Sequence, residues 1–467
     1  QDEALHGAII QRIEERDRLG RVYDEETVER DAPSDVVLTL DTGIQNIVEQ
    51  ALAEGVKNAQ AKSGMAVAMD PKTGDILAIA NYPTFDPNNI TGDAAENTGD
   101  HAIQWLYSPG STFKIVTYGS ALERHMFRPT DMIDAGNGSI TVAGHEFSDH
   151  HTGRMTYAEA LAHSSNICAI KTGLAVGRDD FWSMVKKQGF GTRTGVELPA
   201  ETAGIVRSPE KWNGDSLASM SIGYEIGVTA LQMTTAFATI ANDGIRAQPH
   251  IIKEIRHSDE QPKTVTQVEQ TQILTADSAR NLRTMMRAVV LDGTGKRAAL
   301  NGYSVAGKTG TAWKFNAVKK SVDSSKYVSS FIGMAPADDP RIVVAVVMDE
   351  PGVGARDGGM VSAPVFSDIT QQILTAWNVP KDEPVKPESL VAKNIVPPTA
   401  AAVTKDAAPS AKSPAPDKPK ADTKGKPLPQ KTAPNKGKDI KKTTEKSMPT
   451  RDRTTAWLSR QGTKFET

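Results

Sequence analysis

Gly64-Met-Ala-Val-Ala-Met-Asp-Pro-Lys-Thr-Gly-Asp-Ile-Leu-Ala78 reads as two apolar runs joined by a turn. Met65 to Met69 and Asp75 to Ile79 are strand-length, and Asp70-Pro-Lys-Thr-Gly74 carries the residues that reverse a chain, so the segment predicts a β-hairpin. Upstream, Val36 to Leu40 alternates like a strand, and Asp41 or Thr42 caps a helix through about Ala61. Far downstream, three strands are expected in quick succession at Tyr303 to Ala306, Tyr327 to Met334 and Arg341 to Met348. A tight turn makes the last two antiparallel neighbours, and a helix from Pro364 to Trp377 follows. The region between, about 100 to 300, is helical, most clearly at Thr156 to Leu174 and at Thr229 to Ala241, which ends in Asn242-Asp243-Gly244. An early hairpin and late strands imply one sheet assembled from both ends of the chain. The fold class is therefore mixed α/β, over residues 37–380.

The flanks differ in composition from this body. Of 467 residues, 38% are hydrophobic, which is low for a chain packed throughout. From Lys381 onward there are 19 Lys+Arg against 10 Asp+Glu, a net of +9, which leaves −12 for the residues before it. Residues 381–467 are rich in Pro, Lys and Ala and are expected to be a disordered basic tail. Residues 1–36 are charged with few apolar anchors, and are expected to be a partly ordered arm or the remnant of an N-terminal pedestal. The overall charge of −3 offers no footprint for nucleic acid. Cys168 is the one cysteine, so no intramolecular disulfide forms. The longest apolar run, Ile342 to Met348, is far short of the roughly 18 residues of a membrane span. Any anchor is expected upstream of Gln1. No metal or organic cofactor is implied: His150-His151 lacks ligand spacing, and Asp292-Gly-Thr-Gly-Lys296 has Val290 where a phosphate loop requires glycine.

Three short segments carry chemistry. In Ser108-Pro-Gly-Ser-Thr-Phe-Lys114 the Pro-Gly pair makes a tight entry, and Ser111 falls in the first turn of a helix reaching Leu122. Ser111 and Lys114 are three apart and share a face; a buried, neutral lysine can take the proton that a serine must lose to become a nucleophile. The helix start adds N–H donors for an oxyanion. Ser-x-x-Lys also occurs at Ser183 and Ser208, so it does not decide by itself. Ser183 lies in an apolar-periodic helix, and Ser208 precedes Pro209 as a helix cap. Ser164-Ser-Asn166 places a hydroxyl and an amide on the 156–174 helix, where ordinary polar surface is the simpler reading of the segment alone. Lys-Thr-Gly occurs at Lys72, Lys171 and Lys308. Lys72 is in the hairpin turn and Lys171 shares a helix with Asn166, so only Lys308 can face the other two segments from a strand. Gly307 and Gly310 there permit close backbone approach. Cys168 reads as a packed helix residue.

Ser111-Thr-Phe-Lys, Ser164-Ser-Asn and Lys308-Thr-Gly-Thr occur in this order, with the hairpin at Gly64, Ser221-Ile-Gly-Tyr-Glu-Ile-Gly-Val-Thr-Ala-Leu-Gln232 and Gly302-Tyr-Ser-Val-Ala-Gly-Lys308. Over about residues 37–380 the chain resembles the class B penicillin-binding proteins, and the wording at 221–232 is closest to their division type. The resemblance implies a penicillin-binding protein/β-lactamase-like serine transpeptidase fold: a central antiparallel sheet flanked by helices, with a helical subdomain. It implies that Ser111 is the acylated nucleophile, Lys114 its base, Ser164 a proton relay, and Lys308 the source of positive potential. Asn166, Thr309, Gly310 and Thr311 would bind a stem peptide ending in D-Ala-D-Ala, or a β-lactam. The backbone N–H groups of Ser111 and Thr311 would form the oxyanion hole. A membrane glycosyltransferase and division proteins are the implied partners, on the outer face of the cytoplasmic membrane. A D,D-carboxypeptidase or β-lactamase-like hydrolase and a non-catalytic scaffold are the alternatives. Three residues depart from the family's pattern: Ser108 where glutamate is usual, Glu225 where glycine is common, and Trp313 where a polar residue is usual.

Overall fold

The computed structural model describes residues 5–385 apart from 7–8, 31–32, 91, 93–96, 257–263, 317–320 and 353–355. Nearly all of the expected basic tail lies outside the described residues. Five strands form the central antiparallel sheet: β1 (Ser63–Met69), β2 (Ile76–Tyr82), β3 (Ala306–Asn316), β4 (Ser321–Ala335) and β5 (Ile342–Asp349). Their order in space is β3-β4-β5-β1-β2, so the early hairpin and the late strands do share one sheet. The seam is the β5–β1 pairing, with Val343 opposite Met69 and Asp349 opposite Ser63.

The principal helices, in chain order, are α1 (Thr42–Asn58), α2 (Lys114–Glu123), α3 (Tyr157–Ala162), α4 (Asn166–Val176), α5 (Arg178–Lys187), α6 (Ala230–Ala241), α7 (Ala276–Leu291) and α8 (Ala363–Ala376). Asp41 caps α1, as the sequence predicts, accepting from the Gly43 and Ile44 amides. Both faces of the sheet are covered. Val343, Ala345 and Val347 point into a core with residues of α2 to α4, α6 and α7. Ile342, Val344, Val346 and Met348 point the other way, into a core with α1 and α8. Alternation along a strand buried on two sides explains the unbroken apolar run of β5.

The structure corrects the sequence reading in several places. Thr156 to Leu174 is two helices, not one. A capping box between Thr156 and Glu159 starts α3, which ends at Ala162. Ser164 then takes a left-handed backbone (φ 59°), and the Ser165 hydroxyl caps α4 by accepting from the Cys168 amide. The strand expected at Tyr303 to Ala306 begins only at Ala306, because the Ser304 amide is committed to Asp382 rather than to a ladder. The Val36 strand, Asp35–Leu38, joins Ile252–Arg256 in a small sheet of its own. Residues 9–30, read as arm or pedestal remnant, form an antiparallel hairpin of Ile9–Arg16 with Val22–Arg30.

The packed body also continues past Pro380. Asp382 accepts from both the amide and the hydroxyl of Ser304, whose Oγ in turn accepts from the Ala337 amide at 2.8 Å, and Arg287 pairs with Glu383 at 2.6 Å. Ser304 is buried. Removing a buried donor's partner costs about 1–3 kcal/mol, so Asp382→Ala is expected to lower the unfolding free energy by that amount in denaturant titrations. An unchanged midpoint would show that residues 381–385 do not support the core.

Candidate active site

The three segments meet at the edge strand β3. Gly110–Phe113 is a 3₁₀ turn that leads into α2, so Ser111 sits one turn ahead of the predicted helix position, half-buried at the rim. Two close approaches hold that turn in place. A Cβ at Gly310 would lie 2.9 Å from the Pro109 carbonyl, so the strand packs directly on the turn. Gly223, at φ 82°, lies so close that a Cβ would overlap the Gly110 carbonyl, and its own carbonyl accepts from the Gly110 amide at 3.1 Å. Glycine is required at both positions.

Beneath the turn, Lys114 is fully buried. Its Nζ donates to the Ser164 carbonyl at 2.5 Å and to Asn166 Oδ1 at 2.8 Å, and lies 3.2 Å from Ser164 Oγ. From the strand side, Lys308, also fully buried, donates to the same Ser164 Oγ at 2.9 Å and to the Thr309 carbonyl at 3.1 Å. One hydroxyl thus bridges two amines. The left-handed backbone at Ser164 is what directs both its carbonyl and its hydroxyl at Lys114; such a conformation in a non-glycine residue costs about 1–3 kcal/mol. The interruption of the predicted helix is therefore part of the site.

Burial dominates the electrostatics. It pulls the Lys114 amine down to about 7, with the charge of Asp149 pulling it back upward. Burial likewise pushes Lys308 well below its ordinary value; the Lys114 charge adds to this and Asp357 opposes it. A neutral Lys114 has two N–H bonds, which the Ser164 carbonyl and Asn166 amide oxygen accept, and a lone pair left for a proton.

Sequence reasoning placed Ser111, Lys114, Ser164, Asn166, Lys308, Thr309, Gly310 and Thr311 together, and they are together. Lys72 and Lys171 are elsewhere: Lys72 pairs with Asp339, and Lys171 donates to the Asp134 carbonyl. Ser183 is exposed on α5, and Ser208 is the extended residue before a 3₁₀ turn, although its hydroxyl makes no cap bond. Cys168 is buried, which pushes its thiol up and away from reactivity.

Other neighbours were missed. Asp149 accepts from Ser165 Oγ and the Ile167 amide at 3.0 Å, and from the His151 amide at 3.1 Å. Burial works against its charge, but these hydrogen bonds outweigh it and hold the carboxyl below its usual range. Asn166 Nδ2 also reaches back to the Ser148 carbonyl at 3.2 Å. Thr294 shares a 2.7 Å hydrogen bond with Thr309, and the Gly358 amide donates to Thr311 Oγ1. Thr294 lies in Asp292-Gly-Thr-Gly-Lys296 and His151 in His150-His151, segments whose patterns point to phosphate or metal rather than to this site, and Asp149 and Gly358 carry no local pattern. Two of the departures from the family's pattern also find their places. Glu225, at φ 57°, is buried against Arg207 and Ser216, an ion pair that accompanies its left-handed backbone. Trp313 is 37% exposed with its ring 6.4 Å from Tyr224.

A serine turn pressed onto a sheet edge above two buried amines is an arrangement that can support acyl transfer, and comparison with known proteins places the fold. Residues 64–371 match the family model described as penicillin-binding protein transpeptidase domain. The chain is 37% identical over 363 residues to penicillin-binding protein PbpB of Mycolicibacterium smegmatis, covering 74% of this chain and 55% of PbpB. It is 32% identical over 388 residues to peptidoglycan D,D-transpeptidase FtsI of Escherichia coli, covering 82% of this chain and 63% of FtsI. The crystal structure of penicillin-binding protein 3 from Mycobacterium tuberculosis with aztreonam superposes at a TM-score of 0.71 and 32% identity, over 82% of this chain and 90% of that one. The chain belongs to the penicillin-binding protein transpeptidase family. It spans between about half and two thirds of the length of these curated relatives.

Asp149→Ala removes the acceptor that ties Ser165 and α4 to the preceding loop. It is expected to destabilise the protein by about 1–3 kcal/mol and to move the Lys114 amine below 7, because the negative charge that raises it is gone. Titration of the lysine side-chain carbons by NMR reads this shift; an upward shift would contradict the assignment.

Proposed function

We propose that the chain is a peptidoglycan D,D-transpeptidase that cross-links stem peptides through an acyl-enzyme on Ser111, and that β-lactams acylate the same hydroxyl. The observation that carries this reading is the fully buried Lys114 amine, hydrogen-bonded to Ser164 and Asn166 directly below the Ser111 turn. The Ser111 proton passes to the Lys114 lone pair as Oγ attacks the penultimate D-alanine carbonyl. The amides of Ser111 and Thr311 receive the oxyanion. Collapse breaks the peptide bond, and Ser164, bonded to both amines, returns the proton to the departing D-alanine amine. The amine of a second stem then attacks the ester, forming the cross-link and restoring Ser111. Lys308, Thr309 and Thr311 hold the substrate's terminal carboxylate, Gly310 lets the Ser111 turn pack onto the strand beside it, and Asn166 bonds its peptide amide.

The names of the relatives, PbpB and FtsI among them, support the donor chemistry, and the division-type wording at residues 221–232 supports a role in septal wall synthesis on the outer face of the cytoplasmic membrane. A membrane glycosyltransferase and division proteins are the partners this role implies. Among the described residues no helix is long and apolar enough to cross a membrane.

Mass spectrometry of the protein after exposure to penicillin tests the nucleophile: peptide mapping is expected to place the adduct on Ser111, and Ser111→Ala to abolish it. The acylation rate is expected to rise with pH through about 7, as Lys114 loses its proton and becomes able to accept another. Labelling of Ser183 or Ser208 would overturn the mechanism. A stem-peptide donor incubated with and without an amine acceptor separates transfer from hydrolysis, since only the former yields a dimer.

Lys308→Ala is expected to slow acylation by carboxylate-bearing substrates by about 10²–10³-fold, the scale of losing one electrostatic group at an oxyanion site. The same change at Lys72 or Lys171 is expected to leave the rate within a factor of two or so, because neither amine reaches the site. Equal losses at all three positions would refute the placement of the third segment.

A further inference from the structure

The turn between β1 and β2 is fastened to the small sheet of Asp35–Leu38 and Ile252–Arg256 at one residue, His250, on the edge of the central sheet opposite β3. The His250 amide donates to the Gly74 carbonyl at 3.2 Å, and its carbonyl accepts from the Ile76 amide at 3.1 Å and from the Thr39 hydroxyl at 3.2 Å. Gly74, at φ 83°, lies so close that a Cβ would sit 2.4 Å from the Gln248 carbonyl oxygen. The imidazole is buried in this seam. Its Nδ1 lies 3.2 Å from the Gln248 carbonyl oxygen, and its Nε2 lies 3.2 Å from Asp75 Oδ1.

Both neighbours are acceptors, and that decides the protonation of the ring. A neutral imidazole has one N–H and one lone pair, so it satisfies one of these oxygens and turns a lone pair toward the other. The imidazolium donates to both. The surrounding charge favours it. Asp75 faces the ring from the hairpin, and Glu197, whose carboxylate accepts from the Ile251 amide at 2.9 Å, bears on it from the segment between α5 and α6. Lys253, on the small sheet, is the cation that bears on Asp75. The Asp75 contact holds the His250 ring above its ordinary value against the effect of burial, and it holds the Asp75 carboxyl below its own. We propose that His250 is a proton-operated clamp: as the imidazolium it fastens the central hairpin to the small sheet, and on losing its proton it gives up one of its two acceptors and loosens the seam. The strand it secures, Asp35–Leu38, is the one by which the chain enters the body from the N-terminal hairpin.

The sign follows from the two directions. The stabilisation from His250 is complete below the ring's ordinary value of about 6.5 and is lost as pH rises through the higher folded value. Asp75 sets the other limit, its share being lost as pH falls through its lowered folded value.

NMR titration of the whole chain carrying ¹⁵N-labelled histidine tests the clamp, with the His250 signals identified by their loss in His250→Gln, or in His250→Asn should the first not fold. The His250 midpoint is expected above about 6.5, with both nitrogens protonated below it. Asp75→Asn is expected to lower that midpoint by about one unit or more, the scale of losing an adjacent opposite charge. Hydrogen exchange at the Ile76 amide, which donates across the seam, reads the clamp itself. After correction for intrinsic base catalysis, its protection is expected to fall about tenfold for each unit by which the midpoint exceeds about 6.5, as pH rises through that midpoint. Asp75→Asn is expected to remove this fall. A midpoint at or below about 6.5, a midpoint unmoved by Asp75→Asn, or Ile76 protection indifferent to the protonation of the ring would each overturn the proposal.

Discussion

Two lysine amines, Lys114 and Lys308, are buried within hydrogen-bond reach of one hydroxyl, that of Ser164, and the rest of the site follows from keeping them there. Taking an ammonium out of water is costly, and at Lys114 the protein meets the cost by favouring the neutral form rather than by supplying a matched anion. Asp149 and Asp357 moderate the effect without cancelling it. Lys114 is left near the middle of the physiological range, where a lysine both accepts and returns a proton readily. A salt bridge in the same place would have held the amine charged and unfit to be a base.

That arrangement needs a rigid frame, because a buried amine that could swing toward solvent would regain its charge. The frame is the sheet. β3 is its edge, held through β4 and β5 to the early hairpin, and both faces are covered by helices. The Ser111 turn is pressed onto that edge at Gly310 and backed on its far side by Gly223. The turn and the strand thus approach at backbone distance, which no side chain at either glycine would permit.

The break between α3 and α4 shows how the site is supported in turn. Ser164 adopts a conformation that strains any residue with a side chain, and three hydrogen bonds to the Asp149 carboxylate, with the capping box that starts α3, hold the surrounding segments in place. Glu225 is a parallel case, its left-handed backbone accompanied by a buried pair with Arg207. Local strain in both places is offset by polar contacts made across long stretches of chain.

The amino-acid sequence by itself determined the hairpin, the last two strands and the order of the three segments, because these depend on period-2 alternation, turn residues and short spacings. It also singled out Lys308 from three copies of Lys-Thr-Gly, since topology allowed only one to face Ser111. It did not determine that Thr156 to Leu174 is interrupted: helical periodicity persists across the break, and the left-handed residue is a serine rather than a glycine. Nor did it mark Asp149, Thr294 or the packing of Asp382, whose partners lie up to 78 residues away. Those contacts exist only once the chain has folded. The protonation of Lys114 is likewise a property of the folded state, because its cause is the exclusion of water, and burial is decided by what the whole chain packs around a residue.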